Sequence, residues 1–204
     1  MAGENMSRKR KTEVYYIRFP KKKNKVFGAV FDLTDSLRGA VVTVFLIFLF
    51  VFRSVGVSGD SMNPNLRNDD WLAVLSSVTD FERGDIVVIT QPWERDIPII
   101  KRIIAVAGDT IDINFQTGDV TVNGQVLEED YIADRTHLYY NAQFPMTIPE
   151  GKVFVMGDNR NNSLDSRSGK VGLIDERYIF GKAVFRMFPD PTDIRLDNTE
   201  EGQK

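Results

Sequence analysis

Ser61 and Lys101 carry the chemistry of a nucleophile and a base, and they stand forty residues apart. Ser61 lies in Val57-Ser58-Gly59-Asp60-Ser61-Met62-Asn63-Pro64-Asn65-Leu66, after a flexible glycine and before a Met-x-Pro turn. Such a setting can hold a hydroxyl outward and leave its backbone N–H able to bind an oxyanion. Serine beside a turn is common in loops, so the stretch acquires meaning only with a partner. Lys101 lies in Pro98-Ile99-Ile100-Lys101-Arg102-Ile103-Ile104, where a period of two sets it with Ile99 and Ile103 and puts Ile100, Arg102 and Ile104 on the other face. A free lysine titrates near ~10.4 and is a base at neutral pH only where desolvation lowers that value. A face of branched aliphatics supplies such an environment. Taken singly, the same residue also reads as an edge-strand lysine that discourages aggregation.

A third polar stretch, Gly157-Asp158-Asn159-Arg160-Asn161-Asn162-Ser163-Leu164-Asp165-Ser166-Arg167, follows the apolar run Val153 to Met156. Ser163, Asp165 and Arg167 are spaced by two, so an extended backbone points all three to one side. Ser163 is then a candidate to hold the Lys101 amine, with Asp165 and Arg167 paired to stiffen the loop. Composition alone would allow an ordinary solvated loop.

Several other chemistries lack their residues. There are no cysteines, which removes thiolate nucleophiles, thiolate metal sites and disulfides. The single histidine, His137, cannot build a multi-histidine zinc site and sits in a polar stretch, where it reads as a surface residue. Neither a glycine-rich phosphate loop between strand and helix nor a repeat of 20–50 residues is visible. Ser/Lys acyl transfer calls for no metal and no cofactor.

The elements that must carry these side chains are mostly strands. Gly84 to Thr90, Ile99 to Val106, Thr110 to Phe115, Val120 to Val122, Lys152 to Met156 and Ala183 to Met187 are short apolar or alternating runs. Gln116 to Asp119 and Asn123-Gly124 supply turns between them. The pattern predicts an all-β, or β-dominated, domain over 58–189 with only short helical pieces.

Charge divides the chain unevenly. Met1 to Arg38 holds ten basic against four acidic residues, and Gly39 to Lys204 sixteen against twenty-five. Between them Gly39 to Phe52 is uncharged, with Thr43 its one polar side chain. Fourteen helical residues span about 21 Å, short of a hydrocarbon core of about 30 Å. Continuing to Val57, with Arg53 snorkelling to the headgroups, approaches the spanning length. The run is apolar around its whole circumference, unlike a surface helix, and no small-residue cleavage site follows it. The expected organisation is a basic cytoplasmic tail (1–38), a transmembrane anchor (39–57), the β domain (58–189) and an acidic flexible tail (190–204). The basic cluster ahead of the anchor reads as a positive-inside signal, placing the N-terminus in the cytoplasm and the β domain outside. A disordered nucleic-acid arm is the competing reading of that tail; its place before an apolar run favours membrane retention and no nucleic-acid partner. Trp93 is a candidate for the interface, and equally for solvent or core.

Together the three polar stretches resemble the bacterial type I signal peptidases. That family's nucleophile motif, Gly-x-Ser-Met-x-Pro, matches Gly59 to Pro64; its lysine motif matches Lys101-Arg102 with Gly108-Asp109; its Gly-Asp-Asn-Arg-x-x-Ser-x-Asp-Ser-Arg signature matches Gly157 to Arg167. Gly84-Asp85-Ile86-Val87 matches a further strand, and the likeness runs from the anchor to about Gly181. It implies a largely antiparallel β domain on the outer face of the cell membrane, acting on exported preproteins with small residues at −1 and −3. Ser61 carries over as nucleophile, Lys101 as general base, Ser163 as the lysine's hydrogen-bond partner, and Asp165 with Arg167 as support. Val57, Gly59, Met62, Leu66 and Ile100 are the candidate substrate-binding residues, shaping a shallow apolar subsite. Some members use a hydroxyl in the oxyanion hole where this chain has Gly59; the Ser61 N–H is the assignable donor, with Ser58 a weaker candidate. Ser168-Gly169-Lys170-Val171-Gly172 departs from the aromatic pair many relatives carry before glycine. Two alternatives stand beside this reading: a self-cleaving repressor with a Ser/Lys β domain, and a non-enzymatic membrane-tethered β scaffold.

Overall fold

The computed structural model describes residues 25–76, 78–90 and 97–193, with side chains described over 33–46, 52–76, 78–90 and 97–191. The basic tail before Lys25, Trp93 and the acidic tail after Asp193 lie outside these residues. Residues up to Phe45 form one unit and those from Leu46 onward another.

Helix α1 runs over Lys25–Val51. Its apolar side chains Leu37, Val41, Val44 and Phe45 are exposed in the isolated chain. Among the described residues, no helix is long and apolar enough to cross a membrane. The helix stops six residues before the expected end of the anchor, because Phe52–Gly56 is strand β1, paired antiparallel with β2 (Trp71–Leu75) from Phe52↔Leu75 to Gly56↔Trp71. Phe52 and Val55 are half-buried and the residues between them exposed, a spacing that does not alternate, so it is the pairing with β2 that makes this segment a strand. Arg53, expected among headgroups, has its guanidinium 5.6 Å from the Phe180 ring centroid. The β domain thus begins at Phe52 rather than at residue 58.

The remaining strands are β3 (Ile86–Ile89), β4 (Ile99–Ala105), β5 (Thr110–Asn114), β6 (Asp119–Val122), β7 (Gln125–Val126), β8 (Met146–Thr147), β9 (Lys152–Met156), β10 (Ile174–Asp175), β11 (Ile179–Phe188) and β12 (Thr192–Asp193). A 3-10 turn, Glu176–Tyr178, separates β10 from β11. All strand pairs described are antiparallel. They form an eight-stranded sheet in the order β1-β2-β11-β3-β4-β9-β10, with β12 on β11, and a four-stranded sheet in the order β7-β6-β5-β8.

In the larger sheet β4 is central and almost wholly buried, as its β-branched composition favours. It lies between β3 (Lys101↔Val87) and β9 (Arg102↔Met156). Its pairing with β9 shifts by one residue between Ile103 and Ala105, a bulge close to Lys101. Alternation along β4 sends Ile99 and Ile103 into one apolar cluster with Val87 and Val153, while Ile100 joins another with Val57, Met62 and Leu66. A third cluster, built from Ile104, Ile111, Ile113, Val120, Val122 and Phe154, fills the space under the smaller sheet.

Candidate active site

The nucleophile loop leaves β1, passes Val57 and makes a compact turn before β2. Gly59 has φ +93°, a left-handed conformation that costs a side-chain-bearing residue, and its N–H donates to Asn68 Oδ1 at 2.9 Å. The Leu66 N–H donates to the Met62 carbonyl, and the Asn63–Pro64 peptide is cis. Buried Met62 and Leu66 anchor the loop below and leave Ser61 partly exposed above. From the third polar stretch, the Asn159 N–H donates to the Ser61 carbonyl at 3.0 Å and Asn159 Nδ2 to the Asp60 carbonyl at 3.1 Å.

Lys101 reaches this loop from β4. Its Nζ lies 2.6 Å from Ser61 Oγ and donates to the Ile100 carbonyl at 2.9 Å. The lysine is 3% exposed, so water cannot solvate its cation. Burial accordingly lowers its pKa from 10.5 to about 8, against the pull of the Asp165 and Asp158 carboxylates and with some help from Arg167. A neutral amine offers one lone pair and two N–H groups. The first can take the Ser61 proton while the second set holds the nitrogen in place.

The third stretch is a series of turns rather than the extended segment expected. Ser163, Asp165 and Arg167 are nevertheless all buried and Leu164 is exposed, but Ser166 also turns inward, its Oγ accepting from the Val155 N–H at 3.0 Å. Arg167 grips Asp165 through Nε and one terminal nitrogen, each at 2.8 Å, with both side chains fully enclosed. The same guanidinium donates to the carbonyls of Arg160 and Leu138, and Asp165 accepts from the Gly157 N–H. Ser163 Oγ is buried and has no hydrogen-bond partner among the described residues. The contact with Lys101 expected of it is thus not formed in this arrangement, where the amine turns to the Ile100 carbonyl instead.

Of the five candidate substrate-binding residues, Val57, Met62, Leu66 and Ile100 share one apolar cluster. All four are buried: Met62 and Leu66 are 1% exposed, and Val57 and Ile100 keep slightly more surface, 6% and 9%. Gly59 and Ser58 are exposed. His137 is exposed as well, with Nδ1 3.1 Å from the Phe115 carbonyl.

Residue types alone give no roles to Arg102, Asp158, Asn65, Tyr131, Arg160 and Glu129, which make a network beside the dyad, the first two and Arg160 buried and the others half-buried. Arg102 bonds Asp158 twice, at 2.8 Å each, and its guanidinium carbon lies 4.1 Å from the Tyr131 ring centroid. Burial disfavours the charge on Arg102, yet the bonded Asp158 carboxylate holds its pKa above the ordinary value. Arg160 pairs with Glu129, which accepts from the Tyr131 hydroxyl at 3.0 Å. The signal for the first pair was present in the chain: an arginine that shares its strand face with Ile100 and Ile104 needs a carboxylate. The long loop 127–136 gave no comparable hint.

A buried amine in contact with a serine hydroxyl, on a scaffold of antiparallel sheets, is the arrangement that a serine hydrolase with a lysine base would need. Residues 31–188 match the family described as signal peptidase, peptidase S26, and the chain belongs to that family. It is a serine endopeptidase. Signal peptidase I of Bacillus licheniformis is 37% identical over 172 residues, covering 79% of this chain and 90% of that protein. Signal peptidase I S of Bacillus subtilis (strain 168) is 37% identical over 161 residues, covering 74% and 84%. The crystal structure of a signal peptidase I from Enterococcus faecalis V583 is 29% identical, covers 52% of this chain and 98% of that one, and superposes with a TM-score of 0.44. Membership in a peptidase family sets aside the non-enzymatic scaffold.

Proposed function

We propose that this chain is a membrane-tethered endopeptidase that removes N-terminal signal peptides from exported preproteins after small residues at −1 and −3. The observation that carries the reading is the 2.6 Å approach of a buried Lys101 amine to the Ser61 hydroxyl. In this mechanism neutral Lys101 takes the Ser61 proton and the alkoxide attacks the scissile carbonyl. The Ser61 N–H helps bind the oxyanion, and the protonated amine returns its proton to the leaving nitrogen. Water, deprotonated by the same amine, then hydrolyses the ester. No metal or cofactor takes part.

Ser163, whose buried hydroxyl is unpartnered, would accept an N–H from Lys101 once the amine rotates away from the Ile100 carbonyl. Asp165 and Arg167 stiffen the loop that carries it. Substrate would lie extended beside the nucleophile loop and the start of β4, its small side chain against Val57 and Ile100. Such a shallow apolar floor favours alanine-sized groups.

Tethering rests on the uncharged run within α1 and the basic cluster ahead of it. On that reading residues 1–38 are cytoplasmic, the anchor lies in the apolar half of α1, and the β domain stands on the extracytoplasmic side of the cell membrane. Ser61 comes ten positions after Val51, which suits a substrate whose own apolar helix lies in the same bilayer. The test is to incubate detergent-solubilised protein with a preprotein and sequence the new N-terminus. Cleavage after a small residue, lost in both Ser61→Ala and Lys101→Ala, is the expected result; wild-type cutting by Lys101→Ala overturns the assignment of the base.

A further inference from the structure

Neighbours on β4 point to opposite faces, so Lys101 and Arg102 reach different partners. Lys101 meets Ser61, whereas Arg102 holds Asp158 through two hydrogen bonds. Asp158 Oδ2 also accepts from Asn65 Nδ2 at 2.8 Å, and Asn65 is four residues beyond Ser61 in the nucleophile loop. A closed circuit results: Ser61, along the loop to Asn65, across to Asp158 and Arg102, one step back to Lys101, and across to Ser61 again. The second Asn65 N–H donates to the Tyr131 carbonyl at 2.7 Å, and the Asn65 carbonyl accepts from Arg186 of β11 at 3.0 Å. Tyr131 is itself fixed by Arg102 against its ring and Glu129 on its hydroxyl.

Asn159 already ties the front of the loop, at Asp60 and Ser61, to the residue next to Asp158. Those bonds hold the front of the loop, and Arg186 holds the Asn65 carbonyl to β11. The Asn65 amide is what joins the far end of the loop to Asp158, and so to the strand that carries the base. We propose that Asn65 is a positioning residue for the dyad, its side-chain amide setting the reach between Ser61 and Lys101 by locking the nucleophile loop to the carboxylate that grips the base-bearing strand. This rests on the Ser61/Lys101 reading above. A displacement of about 1 Å at reacting atoms costs roughly 100-fold in rate, so a loop freed at one end loses turnover while its contacts with substrate are largely kept.

Charge provides a readout that packing alone would not move. The groups acting on the Lys101 amine are the Asp165 and Asp158 carboxylates, which favour its cation, and Arg167, which opposes it. Asn65→Asp keeps the shape but exchanges a donor for a carboxylate facing Asp158, adding negative charge on the side that favours the cation.

The experiment compares the full chain in detergent, cutting one preprotein, as wild type, Ser61→Ala, Asn65→Ala and Asn65→Asp. Thermal unfolding by circular dichroism sets an assay temperature at which each is folded. Asn65→Ala should lose roughly 10- to 100-fold in kcat with KM within about twofold. Asn65→Asp should move the acidic limb of kcat/KM upward by about half a pH unit or more. The inference is overturned if Ser61→Ala is inactive while Asn65→Ala keeps kcat within about twofold of wild type, or if both Asn65 variants lose activity only in proportion to unfolding and the limb stays put. Wild-type cutting by Ser61→Ala would remove the dyad reading itself, and this inference with it.

Discussion

Gly157 is wedged against Ser163: a methyl group built on its α-carbon would overlap the Ser163 side chain and, on the other side, the Ser61 carbonyl oxygen. The glycine is therefore the spacer that lets the nucleophile loop approach the third polar stretch. Its φ is not in the left-handed region, so the requirement is one of space alone.

Gly157→Ala should push the Ser61 backbone away from Lys101. Overpacking of this kind costs about 1–3 kcal/mol of stability. The rate loss should be larger in proportion, about 100-fold or more in kcat, because the displaced atoms are those of the nucleophile. Steady-state kinetics together with thermal unfolding separate the two effects, and an unchanged kcat would show that the loop yields without cost.

Burial of Lys101 predicts the pH profile. The base works only when neutral, so kcat/KM should rise with pH and level off above about 8. Stability follows the same group with a definite sign. Its folded pKa lies below the unfolded value, so between about 8 and 10.5 the unfolded chain binds more protons, and the lysine's contribution to stability rises with pH across that window. Below it the buried cation is a burden. Lys101→Met should therefore be inactive yet at least as stable as wild type at pH 7, as urea titration would reveal; a less stable Met variant contradicts this account.

Ser163 separates function from folding. Its hydroxyl is buried without a partner, so Ser163→Ala removes no hydrogen bond and should leave the unfolding midpoint nearly unchanged. Any drop in kcat would then report on Lys101 directly, and it should be smaller than the loss in Ser61→Ala. Equal rates for Ser163→Ala and wild type would remove its proposed role.

Asp158 has a double load. Asp158→Ala strands the Arg102 guanidinium in the core, and breaking a buried pair from one side costs about 3–5 kcal/mol. Asp158→Asn keeps the shape while deleting a carboxylate that favours the Lys101 cation, so its acidic limb should move to lower pH in whatever fraction stays folded. A limb that moves upward would contradict the electrostatic picture of the site.

How much was readable without coordinates depends on the range of the interaction concerned. The runs at Ile99 to Val106 and Lys152 to Met156 announced β4 and β9 almost to the residue, since β-branched composition and flanking turns are local properties. By itself Phe52–Gly56 reads as the end of an anchor, because continuing to Val57 with Arg53 at the headgroups brings the apolar run near the spanning length. Only pairing with β2, some twenty residues on, makes that segment a strand.

The same division governs the site. Residue types and their spacing make Ser61, Lys101, Ser163, Asp165 and Arg167 candidates, each beside an ordinary alternative, and it is the resemblance of the three stretches to one family that gives them roles. Tertiary structure alone decided that Lys101 turns to the Ile100 carbonyl and leaves Ser163 unpartnered, and that Asn65, Asp158 and Arg102 close a circuit around the dyad. The circuit is closed by contacts between residues 40 to 93 apart, and even the short bond to the Ile100 carbonyl is made by an amine already drawn to Ser61. A local pattern carries no trace of which distant hydrogen bond a buried group will find; it records only that the group must find one.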